Sequence, residues 1–372
     1  MYFLDERFLA VMPIAIAVYW ASGSARNAVL LVVNVVWLAL FSPPTLVALG
    51  ALTVAVIYPV SQIASRLRAT DEPRARRIGI AGTVVLIAVA TTLRLRTYFL
   101  PDETLSSLPL GTELLQWIGF SYFVLKGIHV MLASSRGIIS STTPTTLLQY
   151  MLFLPTLTSG PLYRLDDFTK QLEAPKSLGW EGLHRGLGRI LLGMAKKVIA
   201  VPILAAVLGA ARARGVIWQP ASFVAIYVML FLDFSGYSDI AVGTGLLFGF
   251  QVPENFKNPF TSTTLTQFWR NWHASLGDWV RENVFIPFGG VRAKGWKLAA
   301  IVVGSMVIVG LWHGYAVVFV SWGLYHGIAL LVENRLDIKP LRRHNTPRWR
   351  LWLRYAAIQI AVIAGMFAFL YG

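Results

Sequence analysis

The sequence lacks cysteine and has few charged residues. None of its 372 residues is cysteine, which excludes disulfides, a thiolate nucleophile, an iron–sulfur cluster and a zinc site with cysteine ligands. Charged residues make up only 14% and hydrophobic residues 56%, with a mean hydropathy of +0.60. This composition is typical of a polytopic membrane protein. The first apolar run has neither a basic leader nor a small-residue cleavage site, so we expect a retained span rather than a signal peptide.

Acidic residues are scarce relative to basic ones, which gives a net charge of +15. In a soluble protein this excess would suggest nucleic acid, which we do not expect as a partner here. The basic residues instead cluster between apolar runs, at 66–77 and 339–350, and both segments are predicted to be cytoplasmic, with the N-terminus outside. The expected partner is the lipid bilayer, and a basic cytoplasmic face would also suit a thioester donor.

The apolar runs predict an all-α protein of about ten or eleven membrane segments. Clear spans are predicted at 8–21, 27–41, 45–63, 78–93, about 112–133, 187–210, 223–250 and 351–371. The segment Pro101-Asp102-Glu103 is predicted to lie outside the cell. The apolar run Leu147–Thr158 is too short to span and favours a re-entrant segment.

The stretch Leu298–Val332 is 35 residues long and contains no Asp, Glu, Lys or Arg. As one helix it would be about 50 Å long, whereas a bilayer core is about 30 Å thick. The chain is therefore expected to break at the glycines that flank Trp312-His313. An ionisable group on irregular backbone in lipid is tolerated where it lines a cavity, so His313 is a candidate functional residue.

Two other apolar runs contain charged residues. Lys196-Lys197 lies in the middle of the run 187–210, and either snorkels to the surface, which we favour, or faces a polar cavity. The run 223–250 contains Asp233 and Asp239, which favours a broken or tightly packed helix facing the protein interior. These carboxylates either line a functional site or only neutralise buried lysines and amides. No histidine stands at ligand spacing, so no metal site is predicted.

A segment rich in tryptophan follows. Its apolar residues recur at helical spacing and predict one face of an amphipathic helix at the membrane interface: Trp269, Trp272, Leu276, Trp279, Val280 and Val284. His273 adjoins this stripe, and its position alone favours an interface or supporting role.

A histidine in a dry site suits general-base chemistry, in which an alcohol attacks an activated acyl group. A transporter also uses His and Asp at the membrane midplane, so the residues alone leave enzyme and transporter open. On a straight helix His326 would lie about 20 Å from His313 on roughly the opposite face, which favours a structural role for His326.

Several motifs of the sequence, in the right order, resemble those of the membrane-bound O-acyltransferase (MBOAT) family. They lie between about 145 and 335: Ser159-Gly160-Pro161 with Arg164, Asp233-Phe234-Ser235-Gly236-Tyr237-Ser238-Asp239, Pro253-Glu254-Asn255-Phe256, Phe268-Trp269-Arg270-Asn271-Trp272-His273 with Ser275-Leu276 and Ile286-Pro287-Phe288-Gly289-Gly290, and Gly310-Leu311-Trp312-His313-Gly314.

The resemblance implies a single membrane-embedded domain, 1–372, with N-terminal helices over 1–135, a motif-bearing catalytic core over 145–335 and a last span over 351–371. It implies a ring of tilted helices around a central tunnel, with His313 as the catalytic histidine and His273 as a second one. The residues that it implies for substrate binding or the tunnel wall are Trp312, Asp233, Asp239, Tyr237, Arg270, Asn271 and Trp272.

The same resemblance implies transfer of an acyl group from a cytoplasmic thioester to a hydroxyl of a cell-envelope polysaccharide or partner protein. The donor would be acetyl-CoA or an acyl-phosphopantetheine carrier protein, with no bound cofactor. Some of the motifs resemble the alginate O-acetylation branch, which favours acetyl, and others resemble the teichoic-acid D-alanylation branch. Both branches imply an extracytoplasmic partner and the bacterial cytoplasmic membrane. A transporter, a flippase or a non-catalytic scaffold is the alternative of another class.

Overall fold

The computed structural model describes residues 6–41, 43–99, 119–174, 177–213, 215 and 219–370. Helices dominate this part, and its only extended pairing is an isolated antiparallel bridge between Phe256 and Trp272. The predicted outer segment at Pro101-Asp102-Glu103 and the start of the span predicted at about 112–133 lie outside the described residues.

Seven helical segments within these ranges are long and apolar enough to cross a membrane. They are Gly23–Leu40, Leu46–Arg68, Glu72–Leu95, Trp180–Ala213, Ala221–Leu247, Gly295–His313 and Val317–Arg335. The prediction of an all-α, multi-pass membrane protein is therefore confirmed. A ring of ten or eleven segments stays a prediction.

The chain forms two compact units, of which the first comprises Met1–Leu192 and Tyr237–Pro253. Its first helices follow the predicted spans: α1 (Glu6–Ala21), α2 (Arg26–Phe41), α3 (Pro43–Leu52), α4 (Tyr58–Arg68), α5 (Glu72–Phe99) and α6 (Phe120–Ser135). A π-helical turn, Thr53–Ile57, joins α3 to α4.

Small residues let α4, α5 and α6 pack closely. A Cβ atom on Gly82 of α5 would lie 2.6 Å from a Val60 methyl of α4 and 2.9 Å from the Met131 sulfur of α6. A Cβ on Gly127 would lie 2.8 Å from Ile57. Close approach through glycine is a common way for membrane helices to gain van der Waals contact without a hydrophobic driving force.

Short helices complete the first unit: α7 (Pro144–Met151), α8 (Leu154–Leu157), α9 (Leu165–Glu173) and the first part of α10 (Trp180–Met194). The run 147–158 is thus helical only in short pieces, and its re-entry into the membrane stays a prediction. Three fully buried rings, Phe153, Phe168 and Phe250, hold this region together with centroids 4.8–5.2 Å apart.

The second unit comprises Gly193–Gly236 and Glu254–Gly372. A π-helical turn, Ala195–Ala200, leads from α10 to α11 (Val201–Ala213), and α12 (Gln219–Leu247) follows. The remaining helices are α13 (Leu265–Asn271), α14 (Ala274–Val280), α15 (Gly295–His313), α16 (Val317–Arg335) and α17 (Arg348–Leu370), the last of which covers the predicted final span.

Helix α12 is continuous through its charged stretch, so of the two predicted arrangements the tightly packed helix is the observed one. A Cβ on Gly236 would lie 2.8 Å from the Lys197 side chain and 2.9 Å from the Gly193 carbonyl oxygen. The absence of a side chain at position 236 therefore lets the backbone carrying Asp233 approach the π-helical turn.

Helices α15 and α16 form the hairpin that the length of the uncharged stretch predicts. The chain leaves the helix after His313 and re-enters helix at Val317. The two helices pack through glycines: a Cβ on Gly323 would lie 2.6 Å from the Met306 carbonyl oxygen and 2.7 Å from the Val307 Cα.

The prediction of one amphipathic helix through the tryptophan-rich segment is wrong. The chain forms α13, breaks at Trp272 and His273, and begins again as α14. Two hydrogen bonds, which we call the Asn255 tether, hold the chain at this break. The Asn255 carbonyl oxygen accepts from the Ala274 N–H at 2.9 Å, and the Asn255 amide oxygen accepts from the Ser275 hydroxyl at 2.6 Å.

Candidate active site

Two histidines of the second unit contact one tryptophan. The ring centroid of Trp312 is 6.0 Å from that of His273 and 4.7 Å from that of His313. His273 is buried, and His313 and Trp312 are half-buried. The structure thus brings together the two histidines and the tryptophan that the sequence singles out.

The backbone at His273 is unusual. Its φ of 46° and ψ of 50° are left-handed, a conformation that few residues other than glycine adopt. The Asn255 tether holds the chain there, with help from the bond between the Lys257 N–H and the Asn271 carbonyl oxygen at 2.9 Å. This geometry ends α13 and places the imidazole against the Phe234 ring, 4.8 Å between centroids and at 89°.

Trp272 belongs to an aromatic cluster rather than to an outer stripe. Its ring stacks on those of Tyr227 and Phe268 at 5.6 Å from each, and meets Phe256 edge-on at 5.2 Å. The adjacent residues differ in environment, since Arg270 is exposed and the half-buried Asn271 amide donates to the Ser262 hydroxyl at 3.3 Å.

The turn after His313 brings His326 much closer to it than a straight helix would allow. The Trp322 ring lies 6.0 Å from His313 and 4.9 Å from His326, so one indole contacts both imidazoles. His326 is fully buried, between Trp269 and Trp322, and neither of its ring nitrogens has a hydrogen-bond partner among the described residues. A structural role for His326 stays a prediction.

The protonation of His273 follows from its surroundings. Burial, and secondarily the charge of the neighbouring His313, lower the pKa of His273 to about 3. Its imidazole is therefore neutral at pH 7 and able to donate one hydrogen bond and accept another.

The preferred prediction that Lys196 and Lys197 snorkel outward is wrong for Lys197. Its side chain is only 1% exposed, and its ammonium pairs with the Asp233 carboxylate and donates to the Asp233 carbonyl oxygen at 3.2 Å. Lys196 donates to the Ser235 hydroxyl at 3.2 Å. The π-helical turn widens the helix at this point, and the nearby carboxylate compensates the buried charge.

Tyr237 and Asp239 belong to the first unit. The Asp239 carboxylate is buried and forms an ion pair with Arg189 at 2.7 Å, and the Tyr237 hydroxyl accepts from the Ser159 N–H at 3.3 Å. Each of the two aspartates thus has a cationic partner, and a part for either of them in a functional site stays a prediction.

Sequence reasoning missed the residues that hold this site from a distance. Asn255 was noted only as part of a motif. Its polar side chain next to aromatic residues was the available signal for a hydrogen-bonding role. Glu333 was not singled out, yet its carboxylate caps the start of α13 by accepting from the N–H groups of Leu265 and Thr266, the latter at 2.8 Å. A lone buried carboxylate near the end of an apolar helix was the available signal.

Apolar membrane helices, and a buried and a half-buried imidazole that both contact Trp312, define a polytopic membrane protein with a candidate acid–base site. The family model described as MBOAT, membrane-bound O-acyltransferase family, matches residues 103–369. The chain belongs to this family, and its class of activity is O-acyl transfer.

Three curated proteins show the range of its similarity. The chain is 30% identical to a probable alginate O-acetylase AlgI of Pseudomonas aeruginosa over 94% of this chain and 69% of that protein. It is 31% identical to a teichoic acid D-alanyltransferase of Streptococcus thermophilus, over 60% of this chain and 58% of that one. It is 30% identical to a peptidoglycan O-acetyltransferase of Helicobacter pylori, over 64% and 50% respectively.

Proposed function

We propose that this protein takes an acyl group, in the first instance acetyl, from a cytoplasmic thioester and transfers it to a hydroxyl outside the membrane. The acceptor is a cell-envelope polysaccharide, reached directly or through a partner protein that carries the final hydroxyl. We place the protein in the bacterial cytoplasmic membrane, where a thioester and an extracytoplasmic alcohol approach from opposite sides.

The observation that carries the proposal is the pair of imidazoles around Trp312. In the proposed step, His313 takes the proton of the acceptor hydroxyl while that oxygen attacks the thioester carbonyl carbon. The C–S bond then breaks, the thiolate leaves and the imidazolium returns its proton to the sulfur. No covalent acyl-enzyme is needed, and the sequence contains no cysteine to form a thioester intermediate.

His273 has a different part in this proposal. Because its pKa lies far below neutral, it is a poor general base at pH 7. A neutral imidazole can still donate a hydrogen bond to the carbonyl oxygen on which negative charge develops, and the rigid backbone at this position would fix the direction of the donor. We therefore assign proton transfer to His313 and orientation or oxyanion stabilisation to His273.

Five predicted residues of the second unit are proposed to surround the acyl passage. Trp312 and Trp272 supply apolar walls, and Arg270 and Asn271, which precede Trp272 in the chain, supply polar groups. Asp233 is proposed to shape the passage through its bond to Lys197, and a role for Tyr237 and Asp239 stays a prediction.

Acetyl is favoured over D-alanyl because the similarity to the alginate O-acetylase extends over 94% of the chain, against 60% for the D-alanyltransferase. The proposed donor is acetyl-CoA, and a loaded phosphopantetheine carrier protein is the alternative. Transfer of D-alanine is the second candidate function.

The test uses the purified full chain in vesicles, with acetyl-CoA labelled in the acetyl group and a soluble polysaccharide acceptor on the opposite side. Label in the acceptor together with free CoA supports the proposal. A transporter would move the thioester or its acyl carrier without cleaving it, and that result would contradict the proposal. Label taken only from a D-alanyl carrier protein would replace acetyl by D-alanyl.

A further inference from the structure

A cavity of about 400 Å³ lies beside α16 and α17, apart from the two histidines of the proposed reaction. Its lining is mostly apolar and includes Tyr325, Ile328, Val332 and Ile358. Glu333 and Arg354 are the charged residues in its wall. We propose that this cavity binds one molecule of anionic phospholipid, with the phosphate on Arg354 and an acyl chain along the apolar wall.

The two charged groups of the cavity differ in their partners. Both oxygens of the Glu333 carboxylate accept backbone N–H groups at the start of α13, where the positive end of the helix dipole offsets the negative charge. Arg354, in contrast, forms no ion pair with any carboxylate of the described residues. A half-buried guanidinium in an apolar cavity is complementary to a phosphate, which it can bind through two parallel N–H groups.

The residues that line the cavity lie at different distances from the ends of α16 and α17. Helix α16 ends at Arg335 and α17 begins at Arg348, and the segment between them is basic. At 1.5 Å per residue, Arg354 and Glu333 lie within about 9 Å of a helix end, whereas Tyr325 and Ile358 lie about 15 Å from one. Val332 is the shallow part of the wall, and the deeper part could hold the acyl chain of a lipid whose phosphate lies at Arg354.

Two residues of the apolar wall are exposed at the surface of the protein. Ile328 is 53% exposed and Val332 is 50% exposed, and both lie in a helix apolar enough to span a membrane. Acyl chains are the partners that such side chains meet in a bilayer. A headgroup anchored at Arg354 would keep one chain in place, and anionic lipid is concentrated on the cytoplasmic leaflet, where basic segments are predicted to lie.

The test compares the full chain with Arg354→Gln and Arg348→Gln. The second variant is the matched control, since Arg348 is an exposed arginine of the same helix that does not line the cavity. Detergent-purified protein is titrated with phosphatidylglycerol or with phosphatidylcholine of identical chains, and retained lipid is counted by native mass spectrometry. We expect one phosphatidylglycerol to be retained, with a preference of about tenfold over phosphatidylcholine that only Arg354→Gln abolishes.

A second variant, Ile328→Trp, keeps the charge but fills part of the apolar wall, and it should reduce retention of both lipids. Equal retention of the two lipids by the unmodified protein would overturn the proposal, as would equal loss of preference in both arginine variants, which would indicate general surface charge. Displacement of the lipid by free coenzyme A would reassign the cavity to a soluble phosphate ligand and would likewise contradict it.

Discussion

The imidazole of His273 and the indole of Trp312 contact one another with ring centroids 6.0 Å apart and planes inclined by 56°. Since Trp312 is followed directly by His313, this contact ties the loop between α13 and α14 to the end of α15. The relative position of the two histidines therefore depends on one aromatic contact and on the packing that holds α15 in place.

Replacement of His313 by alanine should abolish acyl transfer. General-base catalysis contributes about 10²–10⁴-fold to a rate, and no second group is assigned to the same proton. Transfer is measured with labelled thioester in vesicles, and membrane insertion is checked by the yield of folded monomer. His344→Ala is the control, because His344 is exposed in the basic segment. Transfer by His313→Ala at a rate near that of the control would remove His313 from the mechanism.

The two substitutions His273→Asn and His273→Ala should differ. Asparagine tolerates the left-handed backbone and retains a neutral hydrogen-bond donor, so His273→Asn should keep a measurable fraction of the activity that His273→Ala loses. The activity ratio of the two variants at pH 7 checks this. Equal activity of His273→Ala and the unmodified protein would return His273 to a purely structural role.

The pH profile tests the assignment of His273. The pKa of His273 is lowered to about 3, so its imidazole stays neutral between pH 5 and pH 9 and contributes no titration there. His273→Asn should therefore leave the midpoint of an acidic fall in rate unmoved. A shift of that midpoint by one pH unit or more in His273→Asn would show that His273 titrates in this range.

The glycines of the α15–α16 hairpin allow a paired test of close packing. Gly323→Ala places a Cβ 2.6 Å from the Met306 carbonyl oxygen, so the helices must move apart, at a cost of about 1–3 kcal/mol. Gly304→Ala is the control, since a Cβ there meets no atom within 4 Å and alanine favours helix. We expect a lower thermal midpoint and slower transfer in Gly323→Ala alone, and equal midpoints in the two variants would contradict this packing.

The ion pair between Lys197 and Asp233 should respond asymmetrically to the loss of each partner. The lysine side chain is 1% exposed and the aspartate side chain 44%. Asp233→Ala leaves a buried ammonium without its carboxylate, at a cost of about 2 kcal/mol, whereas Lys197→Met leaves a carboxylate that is not enclosed by protein. Thermal unfolding in detergent should therefore show the larger loss in Asp233→Ala. The reverse order would mean that the aspartate is the less solvated partner.

Much of this architecture follows from local sequence. Apolar runs locate the helices because a bilayer imposes length and composition, and the break after His313 follows from a stretch too long for one span. The sequence motifs single out His273 and His313 as candidate site residues, which the spacing of apolar residues alone would not do.

Non-local contacts account for what was missed. The break at Trp272 and His273 is hidden by a regular apolar spacing, because the cause is a tether from Asn255 rather than a helix-breaking residue. The inward direction of Lys197 depends on a carboxylate 36 residues further along the chain. Neither partner can be read from the residues that surround the affected position.

The left-handed backbone at position 273 also bears on how this protein would respond to selection for stability. Holding a histidine there costs about 1–2 kcal/mol relative to glycine, which adopts the same angles freely. A library screened only for resistance to heat should therefore enrich glycine at this position. The most heat-resistant members would have an unstrained backbone there but would lack the imidazole to which we assign a part in transfer.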